Sequence, residues 1–479
     1  MSRPGVVVNV VDAAPPRSAP VSIDTWFAIG LTERGPDTPE LVRSFAEYTT
    51  KYGGRDGYQT SYDSMETFFR DGGSRVYFQR VFGPAPTKGF LTLKDTAGTP
   101  ADVLKVESKG AGATSAQMKI QVTVPSTGLF QFVLSNADGV LETSPEFTAK
   151  QDAIDWSSLS DYVNVISAGP SLLDPAVLPA TALSAGTDDA ANATDPQWIA
   201  ALNKLTIELG AGQVSAPGRT SSQLQKAILQ HAYDCNRVAI LDSAYAATPN
   251  KASLLAQADG LRDDPNARYG ALFAPWAEVP GLVTGTVRLV PYSAVQAALM
   301  ARMPNANVPA AGKNGQSRYA IGVVGGFTDS EREELNEGGV DIAREMFGGV
   351  RTYGYRTLAD PAKLKGWIGL NNVRLVMEIK AKSYAIAEEF TFHQIDGEGV
   401  VFEKFAGQLT GMLVPYYESG ALYGTATDEA FFVDVGNAVN TIETIANGEI
   451  RAVIYIKTSP FAELVQIDIV KQQITEALV

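Results

Sequence analysis

Apolar runs near the start of the chain predict strands on either side of one amphipathic helix. Residues 6–11 are β-branched almost throughout and predict a strand, which the prolines within residues 13–20 end. Residues 25–30 and 75–82 predict two further strands. Between those two runs, apolar side chains recur at helical spacing: Tyr62, Met65, Phe68 and Phe69. This order of elements predicts an α/β layer with mostly parallel pairing.

The pattern changes after residue 84, where short β-prone runs alternate with Gly, Ser, Thr and Asp. Residues 90–93, 119–124 and 129–134 are such runs, and they predict an antiparallel β domain inserted into the α/β layer. Residues 184–196 predict an exposed connector, in which the acidic pair Asp188 and Asp189 is typical of solvated turns.

Helix and strand patterns then alternate again. A helix predicted over residues 221–236 leads into a strand at 237–242, and residues 269–274 predict another strand. Thr328 and Glu331 have the spacing of a capping box, which predicts the start of a short helix. The α/β layer therefore resumes after the insertion.

The last part of the chain predicts a separate α+β region, with strands at residues 450–457 and 464–470. Its helix has one apolar face: Phe402, Phe405, Leu409 and Met412. We therefore expect an α/β and α+β multidomain protein, with an α/β core, an inserted antiparallel β domain, a C-terminal α+β domain and extended β arms at both termini. The predicted division is an N-terminal arm at 1–20, an α/β domain at 21–83 plus 191–358, an insertion at 84–190 and a C-terminal domain at 359–479 that includes the second arm.

Composition narrows the possible functions. The 479 residues exceed what one core usually organises, and the single cysteine, Cys235, cannot form a disulfide within the chain. The net charge of −14, without basic runs, disfavours binding to nucleic acid or anionic membranes. Neither a signal peptide at residues 1–5 nor an apolar run long enough for a membrane span is apparent, so we expect a protein made in the cytosol.

Candidate catalytic chemistry is sparse. The two histidines, His231 and His393, are expected to be core or interface residues rather than catalytic bases, and no His or Cys cluster has the spacing of a metal site. Residues 311–315 lack the first glycine and the hydroxyl residue of a phosphate loop, so we expect no cofactor. Asp242, at the predicted carboxyl end of a strand, is the one carboxylate placed where α/β active sites often lie.

A series of short phrases runs in order along the chain, at residues 4–6, 28–36, 68–77, 239–242, 269–276, 335–340, 355–358, 367, 372–375, 420–424, 447–450 and 459–463. Taken together and in this order, they resemble the contractile tail sheath family of phages, R-type tailocins and related contractile injection systems. Where that family has a Pro-Pro-Ser-Gly turn, this chain departs from it with Val-Pro-Tyr-Ser-Ala at residues 290–294.

The resemblance implies a helical polymer of stacked sixfold rings around an inner tube, whose contraction needs no nucleotide. It implies contacts with other copies of the chain, the inner tail tube protein and the baseplate and tail terminator proteins, without nucleic acid binding or direct membrane insertion. The place implied is a virion tail or tailocin particle, assembled in the host bacterial cytoplasm. The C-terminal domain would face the tube, and the insertion would lie outside.

The resemblance also implies that the two arms add strands to sheets in neighbouring subunits. The residues of the exchanged strands would be Val6, Val7, Val8, Asn9, Val10, Val11, Leu464, Val465, Gln466, Ile467, Asp468, Ile469 and Val470. Four cationic residues are either tube contacts or solvated charges of a helix or strand: Lys365, Arg374, Lys380 and Lys382. From composition alone, the first arm either pairs at the edge of its own domain or reaches a neighbour.

Two other interpretations stay open at this point. One is an α/β hydrolase-like enzyme that uses Asp242 at the strand end. The other is a non-contractile structural protein, such as an adhesin or a capsid-associated protein. For the leading hypothesis, a sheath subunit, we expect no catalytic residue, no metal and no cofactor.

Overall fold

The computed structural model describes residues 24–304 and 307–463. Both predicted arm strands, at residues 6–11 and 464–470, lie outside these ranges. The chain forms two compact units, Met1–Glu378 and Ile379–Val479, and each is described by itself.

The first unit begins with the predicted strand, helix, strand order. Strand β1 is buried along its whole length, and Ser44 caps α1 by accepting a hydrogen bond from the amide of Glu47 (3.1 Å). Helix α2 turns Met65 and Phe68 into the core. The elements are β1 (Trp26–Gly30), β2 (Glu40–Val42), α1 (Phe45–Tyr52), α2 (Gln59–Arg70) and β3 (Val76–Arg80).

The inserted segment forms two antiparallel sheets, in the orders β4-β5-β9 and β10-β6-β7-β8. They enclose their own aromatic core, in which Phe130, Phe132, Phe147 and Trp156 contact one another. The elements are β4 (Lys88–Lys94), β5 (Asp102–Ala111), β6 (Lys119–Thr123), β7 (Gln131–Asn136), β8 (Gly139–Thr143), α3 (Lys150–Trp156), β9 (Val163–Ser167) and β10 (Leu178–Ala182).

The chain then returns to the α/β layer. The elements are α4 (Asp195–Asn203), β11 (Gly212–Ser215), α5 (Ser222–Asp234), β12 (Arg237–Asp242), α6 (Lys251–Arg262), β13 (Gly270–Ala274), β14 (Ala277–Pro280), β15 (Val287–Val290), α7 (Tyr292–Ala301), β16 (Gly322–Val323), α8 (Asp329–Glu337), β17 (Val340–Met346) and β18 (Gly349–Thr352).

The central sheet of this layer has the order β18-β17-β13-β12-β11-β1-β3-β2. Its inner pairs are parallel, and only the two outermost pairs, β17 with β18 and β3 with β2, are antiparallel. One face packs against α2 and α7, and the other packs against α4, α5, α6 and α8. The predicted parallel α/β layer is therefore confirmed, and so is the mixed multidomain fold class.

The boundary between the two units falls within one long helix, α9 (Leu370–Phe390). In the second unit, α10 turns Phe402, Phe405 and Leu409 inward, which confirms the predicted apolar face. The remaining elements are α10 (Val400–Glu418), α11 (Thr427–Ala430), β19 (Phe431–Asp434), α12 (Ile442–Ala446) and β20 (Val453–Ile456). None of the helices in the described ranges is both long and apolar enough to cross a membrane.

One sequence interpretation was wrong, and another is narrowed by the structure. Asp188 is not a solvated turn residue, because its carboxylate accepts hydrogen bonds from Tyr58 Oη (2.6 Å) and from the buried Arg80 Nη2 (3.2 Å). His393 is exposed just after the end of α9, where its amide donates to the carbonyl of Phe390 (3.1 Å) and its ring packs on that side chain, so of the two expected places only the core is excluded and an interface position stays a prediction.

Candidate functional site

A small open sheet is the most distinctive surface of the second unit. Strands β19 and β20 pair antiparallel, and in the described part of the chain neither has a second partner strand. Val433 and Ile454 pack on the apolar core, whereas Phe432 and Tyr455 are 58% and 55% exposed and stack on each other at 6.4 Å between ring centroids. Two-stranded sheets are marginal alone, and open edges accept further strands.

The four cationic residues expected at the tube lie in different environments. Lys365 and Lys380 are exposed, and Lys382 donates a hydrogen bond to Tyr416 Oη (2.7 Å). Arg374 is 3% exposed, and its Nη2 donates to the carbonyl of Met300 (2.8 Å). Burial lowers the pKa of Arg374 to about 10. The guanidinium of Arg374 therefore tethers α9 within the first unit, and only the three lysines are carried forward as candidates for tube contact.

Asp242, the strand-end carboxylate, is fully enclosed. It accepts hydrogen bonds from the amide and hydroxyl of Ser293 (2.7 and 2.6 Å) and from the amide of Gly218 (2.9 Å). Burial raises its pKa to about 6, although these hydrogen bonds oppose the shift. Ser293 lies in the first turn of α7, so Asp242 joins the end of β12 to the amino end of that helix. This is a structural role for the residue on which the enzyme hypothesis rested.

The remaining candidate side chains also support the core. His231 is buried on α5 and Cys235 directly after its end, with 3.9 Å between Nδ1 and Sγ. Arg237 donates to the carbonyls of Leu205 (2.5 Å) and Thr206 (2.7 Å), and its Nη1 lies 2.8 Å from His231 Nε2. Burial, reinforced by the charge of Arg237, lowers the pKa of His231 to about 3, so the ring is neutral at physiological pH.

Metal chemistry finds no support in the described residues. Within residues 24–304 and 307–463, no group of three or more His, Cys, Asp or Glu side chains could hold a metal ion. In the same ranges, the hydrogen bonds of the Asp242 carboxylate go to Ser293 and Gly218, and no nucleophile and base are arranged with it as in a catalytic triad.

Comparison with known proteins gives a consistent result at the level of the fold. By sequence, no protein-family model and no curated protein matches the chain. By structure, the sheath tail protein of Listeria innocua matches 91% of this chain and 95% of its own, with 13% identity and a TM-score of 0.64. That of Desulfitobacterium hafniense matches 90% and 93%, with 12% identity and a TM-score of 0.55. The chain has the sheath tail protein fold.

A chain from a larger assembly also matches this protein. A chain of the anti-feeding prophage baseplate in its contracted state covers 98% of this chain and 98% of its own, with 17% identity and a TM-score of 0.59. Because these matches run over nearly the full length of both chains, the sheath fold includes both units of this protein. The family resemblance of the ordered phrases is thus confirmed for the fold.

Two residues that organise this sheath fold were missed in the sequence. Asp188 lies 108 positions from its partner Arg80, and Arg237 holds carbonyls about 30 positions away. Neither partner could be recognised without the tertiary structure. For Arg80 and Arg237 the sequence gives one signal, a charged residue within or next to a strand-like apolar run, which is unusual for a solvated side chain, and for Asp188 it gives none.

Proposed function

We propose that the chain is a structural subunit of a contractile tail sheath. It polymerises helically around an inner tube, in stacked sixfold rings, and contracts to drive the tube through the envelope of a target cell. The observation that supports this function best is the sheath fold over nearly the whole chain. In this proposal the protein is not an enzyme, and nothing at Asp242 favours the hydrolase alternative.

The proposed subunits are joined by exchanged strands. The open sheet of β19 and β20 offers main-chain groups at both edges, and residues 6–11 and 464–470 have the β-branched composition of strands that could fill them. About five ladder hydrogen bonds at ~1 kcal/mol net each would hold one such junction. The exposed stack of Phe432 and Tyr455 would be covered as the sheet grows.

The finer parts of the proposal follow the sequence predictions. The proposed domains are divided at residues 20, 83, 190 and 358. In the assembled particle, the insertion at 84–190 lies outside and the C-terminal domain at 359–479 faces the tube. Lys365, Lys380 and Lys382 are the proposed tube contacts, and the further partners are the baseplate and tail terminator proteins. The particle is a virion tail or tailocin, assembled in the host bacterial cytoplasm.

Deleting residues 1–20 tests the strand exchange. We expect the full-length chain to form tubes or rings in negative-stain micrographs and the deleted chain to remain unassembled but folded, because each junction loses its donated strand. The double variant Phe432→Ser, Tyr455→Ser should weaken assembly, whereas Leu172→Ser, Leu173→Ser, which alters exposed apolar residues of the insertion, should not. A full-length chain that stays monomeric under every assembly condition would refute the proposed function.

A further inference from the structure

The hairpin of β17 and β18 carries an unusual pair of arginines. Arg344 and Arg351 lie directly opposite each other across the ladder, where like charges repel. The guanidinium of Arg344 lies 3.6 Å from the ring centroid of Tyr353, and that of Arg351 lies 5.3 Å from that of Phe347. In the described part of the chain, neither arginine forms an ion pair with a carboxylate. Arg351 Nη2 donates to the neutral Gln316 Oε1 (3.1 Å), so neither positive charge of the pair is balanced by a carboxylate among the described residues of its own subunit.

The residues around Arg344 and Arg351 are of the kinds that bind another protein surface. Phe347, at the tip of the hairpin, is 84% exposed, and large exposed aromatic residues commonly anchor protein interfaces. The turn glycines Gly348 and Gly349 border a cavity of about 610 Å³. Three further cationic residues line that cavity: Arg302, Lys313 and Arg318. The charge of Arg302 is balanced by the buried Asp71 (3.3 Å), whereas Lys313 and Arg318 are exposed and add to the positive charge of the arginine pair.

Helix α8 carries a corresponding pair of negative charges. Glu333 and Glu337 are both exposed and lie four positions apart, so they occupy the same side of the helix and repel each other. Other charges of this helix are already paired: Glu334 with Lys251 (2.6 Å) and Asp329 with Arg332 (2.6 Å). No ion pair to Glu333 or Glu337 occurs among the described residues.

The two like-charge pairs match in spacing as well as in sign. Directly opposed strand residues have Cβ atoms about 4.5–5.5 Å apart, and helix residues four positions apart have Cβ atoms about 5–6 Å apart. Two carboxylates on one helix side can therefore meet two guanidinium groups on the hairpin at once, in charge-assisted hydrogen bonds. Both pairs belong to the same chain but to different elements, so such a contact between two copies is head-to-tail.

We propose that the hairpin surface of Arg344, Phe347 and Arg351 binds Glu333 and Glu337 on helix α8 of a second copy of this chain. This inference rests on the proposed function, since it names one contact of the polymer. It is independent of strand exchange, because it uses neither arm and neither strand of the open sheet. A head-to-tail contact that does not close adds subunits in a helical polymer.

Two charge-reversed full-length variants test this contact. One carries Arg344→Glu and Arg351→Glu, and the other carries Glu333→Arg and Glu337→Arg. Each alone should need about tenfold or more of the wild-type concentration to form sedimenting polymer at low salt, because like charges then face each other. A 1:1 mixture should assemble within about threefold of the wild-type concentration, since every junction between the two variants pairs opposite charges. Circular dichroism of each variant checks that it is folded.

A matched control separates this contact from net charge. Lys88→Glu with Lys119→Glu lowers the net charge by four at exposed positions of the insertion, as Arg344→Glu with Arg351→Glu does on the hairpin, and should assemble like the wild type. The inference is overturned if the single-species variants assemble normally, if the folded variants do not assemble on mixing, or if the control fails equally. A wild-type chain that forms no polymer refutes the proposed function itself, and this contact with it.

Discussion

Replacing Asp242 by Asn separates a structural from a catalytic role for this carboxylate. In the folded protein the side chain accepts hydrogen bonds from Ser293 and Gly218, and its burial raises its pKa to about 6. An amide keeps nearly the same shape but does not titrate. The stability of the variant should therefore lack the pH dependence that the carboxyl group contributes to the wild type. If the role of Asp242 is structural, the substitution abolishes no enzymatic activity.

The sign and size of this pH dependence follow from the raised pKa of Asp242. The folded protein holds the proton more tightly than the unfolded chain, so the contribution of Asp242 to stability is fully present below pH 3.8 and is lost as the pH rises through about 6. A shift from 3.8 to about 6 corresponds to about 3 kcal/mol in total. Between pH 7 and pH 5, the gain for the wild type relative to Asp242→Asn is about 1.3 kcal/mol.

The assay is urea unfolding of monomeric protein at pH 7, 6 and 5, followed by fluorescence or circular dichroism. The free energy of unfolding of the wild type minus that of Asp242→Asn should increase as the pH falls. Asp263→Asn, which removes an exposed carboxyl group at the end of α6, is the control and should give no such trend. A difference that stays constant with pH, or that decreases toward pH 5, would refute the reasoning.

Two other buried charges give further predictions. Asp188→Asn leaves the buried guanidinium of Arg80 without its carboxylate, so the free energy of unfolding should fall by about 3 kcal/mol and protease cleavage near residues 84 and 190 should become faster. The control is Asp189→Asn, at a neighbouring half-buried carboxylate that accepts from the amide of Ala85 (3.0 Å) rather than from Arg80, and it should change neither by as much. Arg237→Met removes the donors to the carbonyls of Leu205 and Thr206, which should lower the free energy of unfolding by about 3 kcal/mol in the same urea assay. Equal stability of the variant and the wild type would contradict a stabilising role for Arg237.

Local patterns predicted the regular elements well where one face of an element is apolar. The strand predicted at residues 237–242 is observed as Arg237–Asp242, and the capping box predicted at Thr328 and Glu331 starts α8. Helix α7 was not predicted, because it is buried on all sides and follows Pro291, so its sequence has no polar face to reveal a period. Apolar periodicity reports burial on one side only.

The sequence by itself determined the fold class, the parallel α/β layer, the antiparallel insertion and the resemblance to tail sheath proteins, because these depend on local periodicity and on ordered phrases. Only the tertiary structure decided which charges have partners. Asp188 meets Arg80, Asp242 meets α7, and Arg374 is buried, whereas Arg344 and Arg351 face each other without a carboxylate among the described residues. The physical reason is that ion pairs and helix caps form between residues far apart in the chain, where no local pattern records the distance.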